Sequence, residues 1–252
     1  MTDTEQPTSP QITDEDIISE KAIESIAPYI KRLGENIKRI IELVTLWISI
    51  KQSEEFSSNA AADEILRASV VFTHATLEDF LRTLAAKLLP DANEQTLNQI
   101  PLMSSEPSSG RAEKFPLGRL VQFKGKTVDE VITGSVLNYL EHSNFNTVED
   151  IATLLKSLNL DLSKANHSFP KLQELMQRRH LIVHRADRVE PIGSDEKNIS
   201  EIDSSDVLEW LTAVVQFIQD ILPSAATKHL LIKGYIKQEA NTLKLTIPRI
   251  QI

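Results

Sequence analysis

Ile23, Ile26, Ile30, Leu33, Ile37, Ile40, Val44 and Trp47 fall three or four residues apart. Only an α-helix gathers that spacing onto one face, because 3.6 residues complete a turn. The run lacks the strict alternation of a half-buried strand. It therefore calls for one long amphipathic helix from about Asp14, with a bend expected at Pro28 or Gly34. A polar break, "KQSEEFSSN", follows, in which Ser58 or Asn59 is a suitable N-cap. The next apolar face runs through Leu66, Val70, Leu77, Leu81, Leu84 and Leu88, and Pro90 should stop that helix.

The rest of the chain continues in the same manner. It holds only 7 glycines, and Leu, Ile, Ala, Glu and Lys dominate, which favours helices. Residues 91–118 combine one short helical piece with a Pro/Ser/Gly loop. Shorter helices are expected over 128–141 and 147–158, the second capped by Thr147. Another has Pro170 in its first turn, where proline costs no hydrogen bond. "SSDVLEWLTAVVQFIQDIL" closes the series as a capped helix expected to end at Pro223, and "LKLTIPRIQI" alternates like a short edge strand. The fold class is all-α, a helical bundle of roughly four to six helices. Four segments are expected: a disordered tail over 1–12, a helical extension over 13–58, the main helical domain over 59–226, and a short C-terminal extension over 227–252.

Charge and cysteine usage bound the chemistry. Cysteine is absent, which excludes disulfides and thiolate metal sites and suits a cytoplasmic location. The polar, acidic N-terminus has neither the basic nor the apolar region of a signal peptide. No apolar run approaches the ~20 residues needed to span a bilayer, so no membrane partner is expected. A net charge of −9 opposes a protein that coats nucleic acid with its whole surface. The charge is uneven, however. Residues 171–188 carry five Lys/Arg against two acids, and residues 111–126 carry five against one.

The first of these basic islands contains "ELMQRRHLIVHRADR", residues 174–188. Leu175, Met176, Leu181, Ile182 and Val183 read as core, yet Arg178, Arg179, His180, His184 and Arg185 crowd around them. Arg179 and His184 are five residues apart. On a helix that advances ~7.5 Å and turns ~140°, so they do not stack on one face. Two such helices meeting across a two-fold axis would bring two arginines and two histidines together. That cluster suits RNA cleavage without metal. Guanidinium groups hold phosphate and stabilise its added transition-state charge. An imidazole can take or give the ribose and leaving-group protons. His180 and His184 also have the i, i+4 spacing of two metal ligands, but no third or fourth donor has recognisable spacing, so neither metal nor cofactor is expected. His74 reads as a core or interface histidine, Glu78 as a solvated carboxylate or an orienting partner of Arg179 or His184, and Trp47 and Trp210 as core.

"RRHLIVHRAD" resembles the signature of the HEPN superfamily, an arginine, a polar residue, three further residues and a histidine. Arg179 fills the arginine slot, His180 the polar slot and His184 the histidine slot. "HATLEDFLRTLAAKLL" resembles the leading helix of RiboL-PSP-type HEPN domains, and residues 123–161 resemble the middle of the same branch. The resemblance spans about residues 60–226. It implies an up-and-down α-bundle that dimerises through the motif helix, and a metal-independent endoribonuclease leaving 2′,3′-cyclic phosphate. It also implies a toxin or antiviral-defence setting, with RNA as substrate and an antitoxin or defence protein as partner. By this resemblance Arg179 and His184 are the catalytic pair, His180 assists them, and Arg178 and Arg185 are expected to position RNA. Two departures stand out. Ala186 occupies the place of a regulatory tyrosine in some HEPN toxins, and His180 replaces the commoner asparagine. A non-catalytic HEPN module that binds RNA or protein is one alternative, and a helical scaffold with no nucleic-acid role is a second.

Overall fold

The computed structural model describes residues 14–53, 60–103, 117–189 and 198–232. Their α-helices are α1 (Asp14–Lys51), α2 (Ala60–Leu88), α3 (Glu94–Leu97), α4 (Val128–His142), α5 (Val148–Ser157), α6 (Phe169–Arg185) and α7 (Ser204–Ile232). Short 3₁₀ turns over Leu89–Asp91, Leu117–Phe123 and Asn166–Ser168 connect them. The described residues form no strand, only one isolated antiparallel bridge between Arg188 and Ile199. The architecture is an all-α up-and-down bundle with α2 at its centre, against which α1, α4, α6 and α7 all pack.

The 3.6-residue periodicity explains the core directly. Leu33, Ile37, Ile40 and Val44 of α1 meet Leu66, Val70, Leu77 and Leu81 of α2. Leu172 and Leu175 of α6, and Val214, Phe217 and Ile221 of α7, complete the same cluster. Each fully buried aliphatic side chain contributes about 1.5–3 kcal/mol relative to exposure. The residues expected as an N-terminal extension, 13–58, thus include a helix that forms one wall of the core. Polar contacts tie its end to α2: Trp47 Nε1 donates to Asp63 Oδ1 at 3.0 Å, and Lys51 Nζ pairs with the same atom at 3.0 Å.

The helix starts follow capping chemistry. Thr127 accepts from the Glu130 amide while the Glu130 carboxylate accepts from the Thr127 amide, and Thr147 and Asp150 repeat the arrangement at α5. Asp203 accepts from the Ser205 amide at 2.7 Å ahead of α7. α1 continues as helix through Pro28 and Gly34. Pro223 does not end α7, which continues to Ile232. A mid-helix proline costs one backbone bond and crowds the preceding turn. Here the burial of Leu222, Ala225 and Ala226 outweighs that penalty. The alternating "LKLTIPRIQI", the candidate caps Ser58 and Asn59, the tail over 1–12 and the first part of the basic island over 111–116 lie outside the described residues.

Because α1 shares the core, truncating it from within should weaken the whole bundle. Ile40, only 1% exposed, is the position to test. Ile40→Ala is expected to lower unfolding free energy by about 2–5 kcal/mol. Urea denaturation followed by circular dichroism should show one transition moved to lower urea, rather than early loss of a small helical fraction.

Candidate functional site

The first half of α6 is core and the second half emerges from it. Leu172, Leu175 and Met176 are buried, Ile182 is half-buried, and His180, Val183 and His184 are exposed. The charged cluster therefore lies where the helix leaves the bundle, and its two adjacent arginines point to different tasks.

Arg178 turns inward. Its Nη2 donates to Asp187 Oδ2 at 2.8 Å and to the Glu201 carbonyl at 2.9 Å, with the Ser200 carbonyl at 3.2 Å. Arg67 of α2 reaches the same carboxylate oxygen through Nε at 2.8 Å, and its Nη2 donates to the Ser200 carbonyl at 2.7 Å. Asp187 is fully buried between the two guanidinium groups. Arg178 was expected to position RNA. The structure instead commits it to an internal clamp, because a buried carboxylate needs paired donors.

The clamp also sets where α6 stops. Ala186 caps it in the left-handed region with φ 51°, and Asp187 follows at φ 60°. A non-glycine residue pays about 1–2 kcal/mol for that conformation. The Asp187 amide bonds back to the Leu181 carbonyl at 2.9 Å, and the Ser200 amide donates to the Asp187 carbonyl at 3.0 Å. These bonds and the two arginine pairs offset the cost. Ala186 carries no hydroxyl, so modification of a tyrosine at this place has no counterpart here.

Arg179 has a different environment. Its guanidinium lies close enough to His74 of α2 for its charge to act on that imidazole. Its Nε is buried and makes no hydrogen bond, and no bond joins it to His180 or His184. The Nε of Arg178 is likewise buried without a partner, so this feature does not separate the two arginines. The His180 and His184 rings lie 4.8 Å apart, tilted at 44°, on the solvent side of the last two turns. Among the described residues no group of three or more His, Asp or Glu is placed to hold a metal ion. Arg185 is half-buried in the last turn.

Behind Arg179 is a buried polar pair on α2. His74 Nε2 donates to the Phe145 carbonyl at 3.2 Å, and its Nδ1 is 3.9 Å from Glu78 Oε2. Glu78 Oε1 accepts from the Phe145 amide at 3.3 Å and lies 3.8 Å from Arg82 Nη2. Burial pushes the His74 imidazole below its ordinary value. Glu78 and the Phe145 carbonyl oppose that shift and Arg179 adds to it. Glu78 is thus a partly buried bridge between α2 and the α4–α5 loop, and the solvated-carboxylate reading does not describe it.

The RiboL-PSP-HEPN family matches residues 15–223. The chain belongs to the RiboL-PSP-HEPN family. No curated protein and no solved structure matches it. The matched residues include α1, so this helix lies within the HEPN domain as matched, as its core contacts require. HEPN domains are often ribonucleases. Among the described residues no helix is long and apolar enough to cross a membrane.

Two residues central to this HEPN site, Arg67 and Asp187, were missed in the sequence. The available signal was weak: an arginine between the core positions Leu66 and Val70, and an aspartate four residues past the last apolar residue of the stripe, Val183. Asp187→Ala should leave two guanidinium groups of low exposure without their carboxylate. A loss of about 3–5 kcal/mol is expected, read as a lower urea midpoint.

His74 supplies a pH test. Its folded value is depressed, so the unfolded state binds more protons once pH falls toward the free-imidazole value of about 6.5. The stability tied to a neutral His74 is therefore complete above that value and declines below it. The wild-type Tm should fall more between pH 7.5 and pH 5.5 than that of His74→Gln. Equal falls in calorimetry would remove His74 as the cause.

Proposed function

We propose that this HEPN domain is a metal-independent endoribonuclease whose active site is shared between two copies of the chain. The observation that carries this reading is the grouping of Arg179 with two exposed histidines, His180 and His184, on one emerging helix end. Within one chain these groups make no mutual hydrogen bond. Exposed Val183, 46% accessible and between the two histidines, gives the same surface an apolar centre suited to a symmetric contact.

Arg179 binds the scissile phosphate and stabilises the charge that builds on its oxygens. His184 of one copy takes the proton from the ribose 2′-hydroxyl, whose oxygen attacks phosphorus. An imidazole of the second copy protonates the departing 5′-oxygen. The products are a 2′,3′-cyclic phosphate and a 5′-hydroxyl end, and His180 supports His184 through its neighbouring ring. Arg185 beside the site contacts the RNA backbone, while Arg178 is occupied with Asp187. A toxin or phage-defence role in the cytoplasm, with a silencing partner protein, fits this activity.

The test is cleavage of mixed cellular RNA in EDTA by wild type, Arg179→Ala and His184→Ala. Folding is checked by circular dichroism and dimerisation by sedimentation. Wild-type cleavage should drop at least about a hundredfold in each variant. Cleavage surviving in both, or abolished by EDTA, sinks the proposal. RNA bound without being cut would transfer the assignment to the binding-module class.

A further inference from the structure

A cleft of about 480 Å³ opens between the end of α4, the start of α5 and the turn after α3. That volume lies within the range of small-molecule sites. Its floor is apolar, built from Leu89, Leu140, Phe145 and Leu154, all buried. Its rim is amide, hydroxyl and aromatic: Asn138, Tyr139, Asn144 and Thr153. Tyr139 is 39% exposed. No lysine or arginine lines the cleft, and its one carboxylate, Asp150, caps α5 through the Thr147 amide. Such a lining offers a phosphate no lysine or arginine, and its one imidazole is His142. The lining suits a flat, uncharged heterocycle that stacks on an aromatic ring and exchanges hydrogen bonds at its edge.

The cleft is held against the HEPN site by a short chain of contacts. Phe145 forms part of its floor, and the backbone of that same residue is bonded on both sides: its carbonyl to His74 and its amide to Glu78. His74 in turn lies within the field of Arg179. Arg82 fixes the corner from α2 through the Leu140 carbonyl, and through the Ser143 carbonyl at 2.6 Å. The cleft floor and the surroundings of Arg179 thus meet at the buried His74–Phe145 contact.

We propose that the α4–α5 cleft is a nucleoside-binding subsite that selects the base near the cut, with Tyr139 as stacking surface and Asn138 and Asn144 as edge-reading amides. The proposal rests on the ribonuclease reading above for its role, but binding is measured separately from cleavage. Adenosine, guanosine, cytidine and uridine are titrated calorimetrically into the full chain, its Arg179→Ala variant, and a Tyr139→Ala/Asn144→Ala variant. Both substituted cleft residues are exposed, and circular dichroism checks that their removal spares the fold. At least one nucleoside should bind wild type and Arg179→Ala alike, and the cleft variant at least about tenfold more weakly. In parallel, ends of cleaved RNA are sequenced, and the base bias of wild type should flatten in the cleft variant while cutting continues. Nucleoside binding without any Arg179-dependent cleavage would keep the subsite and overturn the ribonuclease reading. Arg179-dependent cleavage with no nucleoside binding, or with an unchanged base bias in the cleft variant, would overturn the subsite alone.

Discussion

A carboxylate removed from water between two guanidinium groups organises the functional end of this bundle. Asp187 has no accessible surface, and Arg67 and Arg178 both donate to its Oδ2. Burying a charge without partners costs several kcal/mol, so the aspartate is stable there only while both arginines are in place. They come from different helices, and both also reach the Ser200 carbonyl. The clamp thus fastens α2, the end of α6 and the approach to α7 at one point. Wherever that point sits, the last turn of α6 and its two histidines must follow.

The same logic assigns neighbouring arginines to unrelated work. Consecutive helical residues differ in direction by about 100°, so Arg178 and Arg179 cannot share an environment. Arg178 faces the buried carboxylate. Arg179 lies near enough to His74 for its charge to disfavour the imidazolium. That charge adds to the burial that favours a neutral His74, against the opposing pull of Glu78 and the Phe145 carbonyl. The α4–α5 loop is held at Phe145 by His74 and Glu78 of α2.

How much of this was legible follows from the range of each interaction. The long apolar stripes of α1 and α2 and the caps Thr127 and Thr147 depend on residues within a turn of each other, so local spacing reveals them. Pro223 misled because its local penalty is overruled by the packing of Leu222, Ala225 and Ala226 against distant helices. Residues 13–58 read as an extension because a boundary was placed at a polar break. Burial of Leu33, Ile37, Ile40 and Val44 is a three-dimensional fact. The Arg67–Asp187 pair joins residues 120 positions apart, and no periodicity encodes such a bond. Arg178 looked like a surface cation because its partner was invisible.

These placements bear on why the site should need a second copy. The clamp holds Arg178, Asp187 and the end of α6 in place. The helix geometry separates Arg179 and His184 by about 140°. Shortening that separation within one chain would require breaking the bonds that hold the end of α6. In the proposed pairing, a second α6 meeting the first around exposed Val183 would supply those groups without breaking these bonds. It would also hide an apolar side chain that a lone copy leaves in water. The proposed catalysis and the proposed pairing thus depend on the same helix end, which the Asp187 clamp holds in place.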